Sequence, residues 1–178
     1  MKTYWTFGLM VLLLMGCKST LVSEQQAEQN RQQIAAQRYE VVLEWASPSS
    51  TRELNALSNA NLLGIDNRSG RIDLSGSENY IRVFGDSVSV YLPYQGTRYA
   101  GVTPNNTNGT IKFEGVPINY ALDYNEAKQR STVSFGMRDR GERLDVAITI
   151  QANNSADVYV SSSQRNSIKY DGYISDLQ

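Results

Sequence analysis

The chain of 178 residues has no histidine and only one cysteine. Without histidine there is no Ser-His-Asp or Cys-His machinery and no imidazole-ligated metal site. One thiol makes neither an internal disulfide nor a thiolate zinc cluster. Neither charge is in excess. The 17 Lys and Arg against 18 Asp and Glu give a formal net charge of −1, which is no electrostatic footprint for nucleic acid. A phosphate-cradling glycine loop is also missing. No metal, cofactor or nucleic-acid partner is expected.

What is present begins with an address. Lys2 is followed by an apolar run from Tyr4 to Met15, shorter than the ~20 residues that span a bilayer. It reads as a secretion signal. The run ends in Leu14-Met15-Gly16-Cys17, which resembles the lipobox of bacterial lipoproteins. That resemblance implies cleavage before Cys17 and a lipid anchor on it. Each buried acyl CH₂ contributes ~0.8 kcal/mol, so two or three chains hold a protein stably to a membrane. Lys18 follows where inner-membrane retention uses Asp, and no acidic run follows the cysteine. The expected place is therefore the outer membrane, on its periplasmic face, with the cell surface as the alternative. The chain divides into a signal peptide (1–16), a lipidated tether with a polar helix (17–38) and a β domain (39–178).

Ser23 to Arg38 is rich in Gln, Glu, Ala and Arg, without Gly or Pro. Ser23 is a suitable N-cap, with Gln26 three residues on. As a helix the segment would extend ~24 Å. With few apolar positions it is either a spacer off the membrane or a helix docked through Ile34 and Ala35. From Tyr39 the period becomes two: Tyr39, Val41, Leu43 and Trp45 mark one apolar face. Leu54 to Leu63 reads as loop with one helical turn at most. Ile72 and Leu74 mark a short strand, and Tyr80–Phe84 and Val88–Leu92 form a hairpin across Gly85-Asp86-Ser87. Asn105 to Gly109 is a polar turn before a strand at Ile111 and Phe113. Val116, Ile118, Tyr120, Leu122 and Tyr124 are five alternating apolar positions. Val133, Phe135 and Met137 rise to the turn Asp139-Arg140-Gly141, and Leu144, Val146, Ile148 and Ile150 descend from it. Val158 and Val160 precede a last strand through Ile168, Tyr170 and Ile174, in which Gly172 marks a bulge or a close approach. Turns this short join antiparallel strands. The expected fold is mostly β (α+β): a curved antiparallel sheet or partial barrel of eight or nine strands with an N-terminal helix.

Two stretches resemble motifs of an uncharacterised lipoprotein family of Bacteroidota. Leu92-Pro93-Tyr94-Gln95-Gly96 with Tyr99 resembles an LPYxGxxY element. Ser163-Gln164-Arg165 with Ile168, Tyr170, Gly172 and Ile174 resembles an SNRxxIxYxGxI ending, with Gln164 in place of its Asn. The resemblance spans roughly Tyr39 to Ile174. It implies the fold and the compartment, and no activity, cofactor or catalytic residue.

All but one of the 11 tyrosines lie after Cys17. Tyrosine on a wet face can stack on sugars or peptides and hydrogen-bond at its tip. Tyr91, Tyr159 and Tyr173 are out of phase with the apolar faces of their strands, and Tyr94 and Tyr99 follow Leu92 in a loop. These five are candidates for an exposed binding surface, against ordinary cross-strand packing. Arg165 either binds a ligand carboxylate or phosphate through its planar fork, or ties turn carbonyls or pairs with a neighbouring acid. Arg138, Arg140 and Arg143, mixed with Asp139 and Glu142, read as a solvated hairpin tip. The residue types favour a non-enzymatic, lipid-anchored binding or structural module whose ligand is a glycan, a lipid or a protein. The alternative is a carbohydrate-binding accessory lipoprotein using those tyrosines. Behind both stands a hydrolase with paired carboxylates, which would have to face each other across a sugar.

Overall fold

The structure, a computed structural model, describes residues 24–49, 52–60, 62, 70–100, 109–139 and 141–177. The signal segment, Cys17, the Ser23 cap, most of the 105–109 turn and Arg140 lie outside the described residues. Helix α1 spans Glu24–Ala35. It ends earlier than its composition suggests, because Gln37 turns the chain with a left-handed φ of 51°. Strand β1 then runs Arg38–Pro48. A helix α2 follows at Arg52–Asn59, where loop was expected. The i,i+3 spacing of Leu54 and Leu57 prevails there over the Asn and Ser content. The remaining strands are β2 (Ile72–Asp73), β3 (Tyr80–Phe84), β4 (Ser87–Leu92), β5 (Ile111–Gly115), β6 (Ile118–Asn125), β7 (Arg130–Asp139), β8 (Glu142–Gln151), β9 (Ser155–Ser162) and β10 (Ile168–Ser175).

Nine strands form one antiparallel ladder in the order β5-β4-β3-β1-β10-β9-β8-β7-β6, and the short β2 pairs with β1 beside it. The ladder curls into a half-barrel that brings β5 against β7. Only Val116 and Pro117 link the two outermost strands, β5 and β6.

Two β-bulges set which residues face inward. The β1–β10 register steps from Leu43↔Gly172 to Trp45↔Asp171, so Glu44 is the extra residue. A bulge shifts the period-2 phase by one. Tyr39, Val41 and Leu43 are buried before it, and Ala46 after it. Trp45 therefore leaves the face to which simple alternation assigns it and lies under Arg71, 4.1 Å from the ring centre. The second irregularity falls between Ile118 and Ala121 in β6, where Asn119 has a left-handed φ of 53°. The five apolar positions of that stretch do not share one face. Tyr120 stacks on the core residue Phe135 at 6.3 Å, whereas Ile118 covers the outer side of Gly136.

The concave face is packed with side chains. Tyr39, Leu43, Ile81, Leu92, Ile111, Met137, Leu144, Ile148 and Tyr170 are all essentially inaccessible. At ~25 cal/mol per Å² of apolar surface removed from water, this filling is the main favourable term in folding. The wet face is the convex one. Helix α1 is docked, through buried Ile34 and Asn30; Ala35 is exposed. Asn30 donates to Asn154 Oδ1 at 2.7 Å in the β8–β9 turn. The Tyr39 and Tyr120 hydroxyls meet at 3.2 Å, and burial raises both their pKa values.

Beside the first bulge the ladder leaves the Leu43 N–H without a strand partner, and buried Asn79 supplies one. Its Oδ1 accepts from Leu43 N at 3.0 Å, while its Nδ2 donates to the carbonyls of Leu74 and Ser77. Asn79→Ala should therefore lower the unfolding free energy by about 1–3 kcal/mol, the cost of a buried unpaired amide. Urea denaturation measures this; a loss below about 0.5 kcal/mol would show that the amide finds another partner.

Candidate functional site

Two regions of the fold bring polar groups together. The first lies at one end of the half-barrel, where the segment after β4 meets the segment between β9 and β10. Tyr99 N and Ala100 N donate to Gln164 O at 2.9 and 3.2 Å, and Asn166 N donates to Thr97 O at 3.0 Å. Below these bonds lies Glu142, 2 % exposed, with Arg165, 5 % exposed. Arg165 Nε and Nη2 donate to the two Glu142 oxygens at 2.7 and 2.6 Å. This is the bidentate geometry that suits guanidinium to carboxylate. Ser162 Oγ also donates to Glu142 Oε1. Arg98 Nη2 reaches Oε2 at 3.2 Å and Gln164 Oε1 at 2.8 Å.

Burial alone would raise the Glu142 pKa. The hydrogen bonds from Arg165 and Ser162, with the charges of Arg165 and Arg98, outweigh it and hold the carboxyl below the usual range. Every stated partner of Glu142 is a donor, so the group is a clamped anion and is not poised to move a proton. The Tyr94 ring lies 4.8 Å from the Arg165 guanidinium carbon, and its hydroxyl donates to the carbonyls of Thr97 and Asn166, both at 3.0 Å. Tyr170 donates to Pro93 O at 2.9 Å. Thus Pro93, Tyr94, Gln164, Arg165 and Tyr170, from two motifs about 70 residues apart, form one interlocked cluster.

This arrangement corrects two expectations. Tyr94 is not part of an exposed aromatic surface; at 9 % exposure it is a core ring, folded in because its hydroxyl finds two carbonyls inside. The hairpin beyond Asp139 is not simply solvated, since Glu142 points inward. Of the two roles open to Arg165, the structure shows pairing with an acid. Glu142 was missed as a partner although it had a signal: it stands in phase with Leu144, Val146 and Ile148 on the buried face of β8. Arg98, in an irregular segment, had none.

The second region is a trough on the convex face of β7, β8 and β9. Ser134, Ala147 and Tyr159 are direct cross-strand neighbours, and Tyr159 is 51 % exposed. On one side of its ring a hollow of about 360 Å³ is floored by Ser134 and Gly136 and bordered by Ile118, Arg138 and Asp145. On the other side a hollow of about 340 Å³ is bordered by Arg130, Thr149, Asp157 and Lys169. Ala147 and Tyr159 belong to both. Lys169 Nζ is held at 2.7 Å by Asp157 and at 2.8 Å by Asp171; their hydrogen bonds raise its pKa, and Lys169 in turn lowers that of Asp157. Arg143 pairs with Asp145 at 3.1 Å. The buried Nε of Arg130 has no hydrogen-bond partner among the described residues.

The five tyrosines singled out from the sequence do not form one surface. Tyr159 is central to the trough. Tyr173, 41 % exposed, lies on β10 opposite Ser155, toward the far end of the same face. Tyr99 is 60 % exposed over the clamp and donates to Ser162 O at 3.2 Å. Tyr91 is half-buried on the other wing. It stacks on Tyr80 at 6.1 Å between Lys112 and Arg82, which lie 4.6 and 3.9 Å from the Tyr91 and Tyr80 rings. Arg82 continues this row to buried Glu40 at 3.2 Å. No helix among the described residues is long and apolar enough to cross a membrane, and no cluster of acids or cysteine there has the make-up of a metal site.

Comparison with known proteins agrees with this architecture. A DUF4251 family protein from Bacteroides eggerthii DSM 20697, solved by crystallography, superposes with a TM-score of 0.57 at 12 % identity, over 85 % of this chain and 87 % of that one. At that identity the likeness speaks to the fold. No curated protein matches the sequence. The sequence pattern of one family, described as a domain of unknown function, covers residues 22–174, which takes in helix α1, all the strands up to the last residue of β10 and both halves of the buried clamp: the chain belongs to the DUF4251 family.

Proposed function

We propose that this protein is a lipid-anchored module of the bacterial cell envelope that binds a ligand on its convex face and performs no chemistry of its own. In this reading acyl chains on Cys17 hold it to the outer membrane on the periplasmic side. The β domain is a rigid scaffold, and the trough around Tyr159 is its working surface. The observation that carries the binding role is the contrast between the two faces of the sheet. The concave face is filled by apolar side chains, whereas the convex face holds an exposed ring between two hollows of mixed lining, each bordered by charged side chains. Rings with polar borders are what small-ligand surfaces are made of. The anchor is supported by the one cysteine of the chain standing directly after Leu14-Met15-Gly16. The lack of histidine and the saturation of Glu142 by donors support a role without catalysis.

The experiment follows the anchor. Cells fed an alkyne fatty acid should label the wild-type chain, which should enter the detergent phase on partitioning. Cys17→Ala should take no label and stay aqueous. A variant that still enters the detergent phase would overturn the lipid anchor.

A further inference from the structure

We infer that the trough centred on Tyr159 binds an acidic oligosaccharide, with one sugar ring against the tyrosine and its anionic groups on Arg130 and Arg138. This rests on the binding-module reading above and names its ligand class. The geometry comes from the register of β7. Ser134, Ala147 and Tyr159 stand side by side across three strands. Arg130 and Arg138 lie four residues to either side of Ser134 on the same outward face, so their Cα atoms are about 26 Å apart along the strand. Neither arginine has an ion-pair partner among the described residues, while Lys169 and Arg143 are occupied by neighbouring acids. The Arg130 Nε is buried at the rim of one hollow with no acceptor among the described residues. A cation at each end and a flat, half-exposed ring in the middle suit a chain of rings that carries negative charge at intervals.

The floor favours a glycan over an acidic peptide. Ser134, Gly136 and Ala147 leave room above the strands. A Cβ at Gly136 would come within 3.3 Å of Asp145 Oδ1 and 3.6 Å of Ile118 Cβ, narrowing one hollow. The strands beneath are β7, β8 and β9, each paired on both sides. Their main-chain groups are already used, so an extended peptide could not add to the sheet here. Recognition has to come from side chains and one ring face, and each hollow is in the roughly 300–1,000 Å³ range of small-ligand sites.

The test is calorimetric titration of the purified full chain, in detergent, with a defined tetragalacturonate. A neutral tetrasaccharide and a short poly-glutamate serve as the other arms. Binding of the tetragalacturonate is expected, with at least tenfold weaker binding of the other two. Tyr159→Ala, at an exposed ring, and Arg130→Gln, at a half-buried side chain on the rim of a hollow, should each reduce affinity about tenfold while leaving the fold intact. Absence of tetragalacturonate binding would overturn the proposal, as would equal binding of poly-glutamate or indifference to both substitutions. The Cys17 labelling experiment is independent of this result, so a failed titration removes the ligand class and leaves the anchor standing.

Discussion

Gly172→Ala should destabilise the domain by more than about 3 kcal/mol. The position is exacting because β1 and β10 are pressed together at the Glu44 bulge. A Cβ built on Gly172 would lie 2.0 Å from Val42 O and 2.8 Å from Leu43 Cα. Both obstacles are backbone atoms of the central strand, so no side chain can turn aside to make room. Relief requires β1 and β10 to separate, and that pairing joins the two wings of the half-barrel. Gly76→Ala is the control. No atom lies within 4 Å of its added Cβ, so its change should stay within about 0.5 kcal/mol. Thermal unfolding of both variants decides the matter. Equal melting temperatures would mean that the bulge relaxes freely and that β1–β10 packing is looser than described.

The same bulge marks the limit of reading strands from alternation. Wherever a strand is regular the reading transfers directly. Val133, Phe135 and Met137, then Leu144, Val146, Ile148 and Ile150, all face the core as their spacing implies. Alternation is a property of one strand, whereas a bulge is a property of a pair. Nothing in Leu43-Glu44-Trp45 or Ile118-Asn119-Tyr120 shows that the partner strand advances by fewer residues. Simple alternation therefore puts Trp45 with Leu43 and Ile118 with Tyr120, and it does not reveal the outer wall of the trough, to which Ile118 contributes. Gly172 was legible because a glycine amid β-formers needs a reason, though its contact atoms came only from the fold. The exposure of Tyr159 and Tyr173 was legible from phase. The burial of Tyr94 was not, because in an irregular loop phase carries no information, and of the two carbonyls that capture its hydroxyl, that of Asn166 comes from a distant segment. Glu142 illustrates a different gap. Its in-phase position argues for burial and its charge for solvent, and the conflict is resolved by distant donors, Arg165 foremost, 23 residues away, with Ser162 and Arg98 beside it.

Glu142→Ala should cost about 3–5 kcal/mol, because it leaves the Arg165 guanidinium buried without its anion. For a domain of this size that corresponds to a fall in melting temperature of roughly 6–20 °C. Arg165→Met should cost a similar amount by stranding the carboxylate. The double variant Glu142→Ala/Arg165→Met should cost much less than the two single losses combined, since it strands neither partner of the buried pair. Strict additivity in this cycle would show that the clamp is not a coupled unit.

The pH dependence follows from the same bonds. The Glu142 carboxyl titrates lower in the folded chain than in the unfolded one, so the unfolded state binds the proton first as pH falls. Its contribution is complete above the ordinary glutamate range, near 4.5, and is lost as pH falls through the depressed folded value. Glu142→Gln removes that proton-linked component while keeping the shape. Between pH 6 and pH 3 the unfolding free energy of the wild type should therefore fall more steeply than that of Glu142→Gln. Asp157, also depressed by Lys169, contributes equally to both proteins and cancels in the difference. Parallel urea-denaturation curves at each pH would show that Glu142 is protonated as readily folded as unfolded, and would dissolve the clamp as an account of how the two motifs are held together.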